Sequence, residues 1–202
     1  MNSPTTKLRA ILGGVGLALL AGCASTPQPR YFVLEAPAAA PAAIAPYSSS
    51  TVMVGPITVS DHLKRRGIAS RETQGRIIIS QYDRWVGSLD QNIAGVVTEI
   101  LQQKRGSNNA INYYSNFSAD HDNAVKIHIS KFDRIPGNQV TLVASWQVRN
   151  IATKEKTVHS GTFSQPITGT SLEGGTQTGD TVAAMNAALA EMAHAVHQSL
   201  QK

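Results

Sequence analysis

The chain has 202 residues with 18 basic and 13 acidic side chains, 42% hydrophobic residues and a single cysteine. This length and composition fit one globular domain with a sizeable core, and the lone cysteine excludes a disulfide within the chain. The formal charge of +5 comes without the dense basic stripe and interleaved aromatic residues of nucleic-acid binders, so we expect no nucleic-acid partner.

The first 22 residues have the pattern of a bacterial lipoprotein signal peptide. Lys7 and Arg9 precede an apolar run over residues 10–20, which is shorter than the roughly 20 residues of a membrane-spanning helix. The run ends in Leu20-Ala21-Gly22-Cys23, in which small residues precede the cysteine. This predicts cleavage between Gly22 and Cys23 and covalent attachment of diacylglycerol and acyl lipid to Cys23. The alternative is an ordinary secretory peptide, or a short anchor, with an incidental cysteine.

Three segments follow from this pattern. Residues 1–22 are the signal peptide, residues 23–50 are a lipidated tether with a short strand and an Ala/Pro linker, and residues 51–202 are a single periplasmic domain. The short strand is predicted at residues 31–34, and residues 35–50 are rich in Ala, Pro and Ser. Residues 24–30 span at most about 23 Å, so the domain must lie close to the membrane. Several acyl chains on one cysteine anchor a protein stably without spanning the bilayer.

The domain is predicted to alternate four strands and a helix, twice. Ser88 and Gln91 form a capping-box pattern that opens a helix reaching about Lys104, with its apolar stripe on one face. A second amphipathic helix runs from Thr178 or Asp180 to about Leu200. The remaining predicted strands are Thr51–Val59 with a break at Gly55-Pro56, Gly67–Glu72, Arg76–Ser80, Ile111–Ser115, and the alternating runs 125–129, 140–148 and 157–164.

The expected fold is therefore an α/β sandwich, in ββββ-α-ββββ-α order. Two amphipathic helices, each with one apolar stripe, require a half-buried sheet to receive them. The alternation of apolar and polar residues along the later strands predicts a mostly antiparallel or mixed sheet with one face on the core.

Several short motifs, taken in order along the chain, resemble those of the ABC-type transport auxiliary lipoproteins, the PqiC-like group. The strand at residues 31–34 follows the lipidated cysteine, and Val59-Ser60-Asp61-His62-Leu63 precedes basic residues and a short strand that ends in Arg71. Trp85 then stands just ahead of the capped helix. The chain departs from the family where Ser60, His62 and Ser88 replace residues that are often Pro, Tyr and Pro.

The resemblance implies a non-enzymatic, outer-membrane lipoprotein of an MCE/ABC-type system that moves lipids or hydrophobic compounds between membranes. Its implied partners are an MCE-domain protein and inner-membrane ABC transporter components. Ala24 follows Cys23 in place of the Asp that commonly retains lipoproteins in the inner membrane, which favours the periplasmic face of the outer membrane. The alternative is a structural or assembly lipoprotein that binds another outer-membrane protein or an envelope polymer. A periplasmic hydrolase is a third and weaker hypothesis.

No arrangement of residues predicts catalysis or a metal site. Ser60, Asp61 and His62 are the residue types of a catalytic triad, but consecutive side chains diverge, so we interpret them as a turn. Glu191, His194 and His197 have spacings that could form half of a metal site. No second cluster completes that site, and Glu191 and His194 are expected to point away from the core.

Two surfaces are candidates for contacts with other molecules. Lys64, Arg65 and Arg66 could meet anionic lipid head groups or form an ordinary solvated turn. One face of the last helix, opposite its core stripe, is predicted to carry alanines with little charge, which is expected of a contact with a protomer or partner; alanine's high helix propensity is the alternative reason. These alanines are Ala183, Ala184, Ala187 and Ala190.

Overall fold

The computed structural model describes residues 27–38, 50–106, 108–115, 120–169 and 177–201. Within these ranges the elements follow the predicted ββββ-α-ββββ-α order. The predicted cleavage site and Cys23 lie outside the described residues. The elements are β1 (Arg30–Phe32), β2 (Val52–Val59), β3 (Gly67–Arg71), β4 (Ile77–Trp85), α1 (Leu89–Arg105), β5 (Ala110–Asn112), β6 (Asn123–Ile135), β7 (Gln139–Asn150), β8 (Lys156–Pro166) and α2 (Gln177–Ser199).

The strands form one mixed sheet in which β6 is central. One edge of β6 pairs antiparallel with β7, which pairs antiparallel with β8. The other edge pairs parallel with β2 and, further along, with β3. β4 is antiparallel to β3, while β1 and β5 add parallel edges to β4 and β2. The predicted fold class, two helices on a mixed sheet, is confirmed.

The core lies between one face of this sheet and the two helices. Alternate residues of β7 are buried, and the residues between them are half-buried, as the sequence pattern predicts. Helix α1 packs on β2 and β5, whereas α2 packs on β7 and β8 and also on α1. The stripe of α2 is buried as predicted from Val182 to Val196, while Leu200 is only half-buried. Each fully buried aliphatic side chain contributes about 1.5–3 kcal/mol, so these stripes hold the helices on the sheet.

Helix α1 begins without the predicted capping box. The side chain of Ser88 makes no capping hydrogen bond. Asn92 stabilises the entry instead, because its Nδ2 donates to the carbonyl oxygens of Val86 at 2.7 Å and Ser88 at 2.8 Å. The helix ends as predicted, at Gly106, whose φ of 101° suits glycine and whose N–H donates to the carbonyl of Gln102.

Several strand boundaries differ from the prediction: β1 covers Arg30–Phe32 instead of residues 31–34, and β6 covers Asn123–Ile135 instead of residues 125–129, since its whole length pairs with β7. β5 ends at Asn112, because the Asn112 side chain accepts the N–H of Tyr114 and closes a turn. β4 continues past Ser80 to Trp85, since it gains β1 as a neighbour. Gly55-Pro56 bulges β2 without ending it. Gly55 has φ 120°, and a Cβ there would lie 2.7 Å from Cβ of Tyr113, so only glycine fits this bulge.

The described part of the predicted linker is packed on the helices. We call residues 33–38 the strap. Leu34 is only 4% exposed and belongs to the core, and Ala36 packs against it. The backbone N–H of Glu35 donates to Asn186 of α2 at 3.2 Å. The strap also accepts a hydrogen bond from α1, between Nε2 of Gln103 and the carbonyl of residue 37 at 3.3 Å. The chain therefore crosses both helices before β2 begins.

Candidate functional site

The chain enters the domain at β1, whose first residue is seven positions after Cys23. Arg30 donates to Oδ1 of Asp83 at 2.7 Å, and Thr178 at the start of α2 donates to Oδ2 at 2.7 Å. Burial alone would raise the pKa of Asp83, but the hydrogen bonds from Arg30 and Thr178 lower the pKa below its usual value. This nearly buried carboxylate thus ties the entering chain to both the sheet and α2.

The predicted basic residues lie beside this entry. A single 3-10 turn spans Asp61–Lys64, and Lys64 is paired with Asp61 at 2.7 Å. The hydrogen bond and charge of Lys64 lower the pKa of Asp61. Arg65 and Arg66 are exposed, and among the described residues neither forms an ion pair. The carbonyl of Arg66 accepts the N–H of Trp85 at 2.8 Å, which places these arginines next to the end of β4.

Ser60, Asp61 and His62 do not converge. Oγ of Ser60 donates to the carbonyl of Ser130, Asp61 accepts from Lys64, and His62 turns inward to Asp133. The predicted turn is confirmed, and each of the three side chains has a separate structural partner.

A buried ionic cluster at this turn was not predicted. Asp133 of β6 is fully buried, and its Oδ2 accepts hydrogen bonds from Nε and Nη2 of Arg71 at 3.1 and 2.6 Å. Nε2 of His62 lies 3.2 Å from Oδ1 of the same carboxylate. A bulge near Ser130 in β6 sets the register that follows. The sequence prediction did not reach this cluster, because Asp133 lies beyond the predicted strand 125–129 and the predicted strand Gly67–Glu72 also contains the charged Glu72.

The predicted alanine face of α2 is partly wrong. Ala183 and Ala187 are exposed, but Ala184 and Ala190 are buried at 6% and 8% exposure. The helix lies between the sheet, α1 and the strap, so its buried sector is wider than a single stripe. Only two of the four residues are therefore available to a protomer or partner.

The three residues of α2 with metal-site spacing differ in how far they are buried. Glu191 and His194 are exposed, as predicted, whereas His197 is half-buried. Burial, followed by the positive charges of Arg105 and Lys104 and of His194, lowers the pKa of His197. Burial and Lys104 also lower the pKa of His194, against a smaller opposite effect of Glu191. In the described part of the chain, no three His, Cys, Asp or Glu side chains group as metal ligands.

Two further features describe the surface. Within the described ranges, no helix is both long enough and apolar enough to cross a bilayer.

A groove of about 580 Å³ lies at the end of the sheet where β6 begins and β7 ends. Its lining is mainly polar and includes Ser50, Asp122, Asn123, Asn150, Glu155 and His159.

Comparison with known proteins agrees with this geometry. The family model described as "ABC-type transport auxiliary lipoprotein component" matches residues 32–197, from the end of β1 to near the end of α2. A search of curated proteins finds no match to this sequence.

Two crystal structures share the fold at low sequence identity. One, of an uncharacterized protein, has a TM-score of 0.67 and 12% identity, and the match covers 86% of this chain and 99% of that one. The other, of a Xanthomonas campestris protein, has a TM-score of 0.65 and 14% identity, covering 86% of this chain and all of that one. With the family match spanning most of its length, the chain belongs to the ABC-type transport auxiliary lipoprotein component family.

Proposed function

We propose that this protein is a non-catalytic, outer-membrane lipoprotein that serves an MCE/ABC-type system for transport of lipids or hydrophobic compounds. In this proposal Cys23 carries the diacylglycerol and acyl chains and becomes the mature N-terminus. The partners are an MCE-domain protein in the periplasm and ABC transporter components in the inner membrane. The domain docks or scaffolds the transport path beneath the outer membrane.

One observation carries the proposal most directly: the folded domain begins almost at the lipid attachment point. β1 starts at Arg30, and the Arg30–Asp83–Thr178 contacts fix it to β4 and α2. Arg30 is only seven positions after Cys23, which is at most about 23 Å of extended chain. A domain held this closely suits a component that stays at the membrane surface and receives a partner there.

The charged groups at the entry support a scaffolding role. The carboxylates of Asp83 and Asp133 are each engaged by an arginine and by a second side chain. Groups bound in this way stabilise the fold, and neither of these two carboxylates is poised as a general base.

Membrane fractionation tests the anchor and its destination. Cys23→Ser removes the acylated thiol and should release the protein from the membrane fraction. Ala24→Asp should move the acylated protein from outer-membrane to inner-membrane fractions on a density gradient, and Ala24→Ser is the matched control that should not. Retention of Cys23→Ser in membranes would refute the anchor, and an unchanged position of Ala24→Asp would remove the argument for sorting.

Co-purification tests the transport assignment. The acylated protein, cross-linked in its native envelope and captured by a C-terminal tag, should bring down an MCE-domain protein. Cys23→Ser is the control, since loss of the anchor should reduce that capture. Capture of an outer-membrane protein or envelope polymer without any MCE-domain protein would favour the structural or assembly alternative.

A further inference from the structure

Exposed apolar side chains are concentrated on or directly after two neighbouring strands, β1 and β4. Among the described residues, seven large hydrophobic side chains are exposed, and five of them lie on β1, on β4 or directly after these strands. Contiguous exposed apolar groups of this kind mark contact surfaces more often than scattered ones do. The five are Tyr31, Val33, Ile78, Tyr82 and Val86.

Strand geometry places most of these side chains on one surface. Phe32 and Trp85 are paired and pack in the core. Because side chains alternate along a strand, Tyr31 and Arg84, directly before that pair, point to the opposite face, away from the helices. Tyr82 lines the same groove as Arg84, and Val33 and Val86 are exposed directly after the two strands. Tyr31 is paired with Arg84, and the N–H of residue 86 donates to the carbonyl of residue 32. We call Tyr31, Val33, Tyr82, Arg84 and Val86 the tether face.

The surroundings of the tether face are cationic. Arg84 lies within it, and Arg65 and Arg66 flank it, because the carbonyl of Arg66 bonds to the N–H of Trp85. In the part of the chain that the structure describes, none of these three arginines forms an ion pair. Of the acidic groups near this face, Asp61 is bound to Lys64 and Asp83 to Arg30, whereas Glu35, two residues after Val33, is exposed. Exposed tyrosines beside unpaired arginines match the interfacial zone of a bilayer with anionic head groups.

The length of the tether brings this face to the membrane. Residues 27–29, Tyr82 and Arg84 together line a shallow groove. Residue 27 is four positions after Cys23, and four residues of extended chain span at most about 14 Å. If Cys23 is acylated, the groove therefore begins within about 14 Å of the acylated residue, whatever path the tether takes.

We propose that the tether face rests on the membrane surface and contacts anionic phospholipid head groups, with its tyrosines at the interface. The lipid anchor and this face then form a two-part attachment that fixes the orientation of the domain. The inference rests on the proposed acylation of Cys23. The β8 strand and the turn that joins β7 to β8 lie at the opposite edge of the sheet from β1 and β4.

Single-cysteine labelling tests the orientation. Because the only natural cysteine is acylated, an introduced cysteine is the only free thiol. Tyr82→Cys and the control Val158→Cys, which is on β8 and 72% exposed, are each labelled with an environment-sensitive fluorophore in the acylated protein. The protein is reconstituted in vesicles of phosphatidylcholine and phosphatidylglycerol that carry a head-group quencher. The label at position 82 should be quenched, and the label at position 158 should remain in water.

Charge removal tests the head-group contact. A basic residue near an anionic surface contributes about a fivefold change in the binding constant, so Arg65→Ala with Arg66→Ala should weaken the contact by up to about 25-fold. Lys126→Ala with Lys156→Ala is the matched control. Lys126 is eight residues before Arg134, the position at which β6 meets β3, which is roughly 26 Å along the strand.

The outcomes separate the inference from the anchor. Protein that floats with the vesicles but shows equal quenching at positions 82 and 158 retains the anchor and overturns the tether face. Protein that does not float with the vesicles refutes acylation of Cys23, and the proposed membrane contact of the tether face is then refuted as well. Shielding of position 82 only after a partner protein is added would also overturn the membrane contact.

Discussion

Asp133→Asn is the sharpest test of how the domain holds its basic turn. The substitution keeps the shape of the side chain and one acceptor oxygen, but it removes the negative charge that faces Arg71 and His62. Breaking a buried ion pair by removing one partner costs about 3–5 kcal/mol. The side chains of Arg71 and His62 are 23% and 21% exposed, so water can partly solvate the stranded cation. We therefore expect the lower end, about 3 kcal/mol.

Urea denaturation of the purified domain measures this loss. With a slope of about 1.5 kcal/mol per molar urea, the midpoint should fall by roughly 2 M. Glu72→Gln is the matched control, because it removes a carboxylate that binds Arg76 on the surface. An exposed pair of this kind contributes about 0.5 kcal/mol or less. Equal midpoint shifts for the two variants would refute the buried cluster as a stabilising element.

Three further changes test other parts of the structure. Leu34→Ala should lower the free energy of unfolding by about 3 kcal/mol, because Leu34 is buried in the core. The control Val33→Ala, at the exposed neighbouring position, should lower it by less than about 0.5 kcal/mol. Equal losses in urea denaturation would show that the strap is not part of the core. Because the pKa of His197 is lowered in the folded state, the contribution of the neutral side chain to stability is complete above the unfolded-state pKa near 6.5 and declines as the pH falls towards the folded-state pKa. His197→Gln should therefore narrow the difference between the urea midpoints measured at about pH 7 and at about pH 5. Ala190→Glu places a charge at a buried position and should destabilise the fold by about 2 kcal/mol or more. Ala187→Glu changes an exposed position, so it should alter stability by no more than about 0.5 kcal/mol and should lower the oligomeric mass measured by light scattering. An unchanged mass would refute a protomer contact at Ala187.

Periodicity in the sequence predicts the fold well, because one physical requirement controls it. The apolar stripes of α1 and α2 and the alternation along β7 each show which side is buried, and burial decides element type and layer order. Element ends were predicted less well. Ser88 matches a capping box, whose side chains accept from backbone N–H groups, yet the side-chain bonds at the start of α1 are those that Asn92 donates to the carbonyl oxygens of Val86 and Ser88.

Contacts between distant segments could not be predicted from local patterns. Asp133 meets Arg71 across a sequence separation of 62 residues, and Asp83 meets Thr178 across 95. Neither pair has a spacing rule, because β3 meets β6, and the start of α2 meets β4, only after the topology is set. The prediction that all four alanines of α2 lie on an exposed face was partly wrong for a related reason. Helical periodicity gives the angle of each residue, but it does not show how much of the helix its neighbours cover.

The two buried carboxylates act on the same corner of the molecule, and in the proposed arrangement at the membrane this links stability to orientation. Asp83 fixes β1, and with it the tether, to β4 and α2. Asp133 holds His62, which is three residues before Arg65, against β6. Because the arginines and the tether face are positioned by separate ionic contacts, loosening either contact should let one part of the surface move relative to the other. A rigid corner is what a short tether requires, since seven residues of chain can fix a distance from the membrane but cannot by themselves fix an angle.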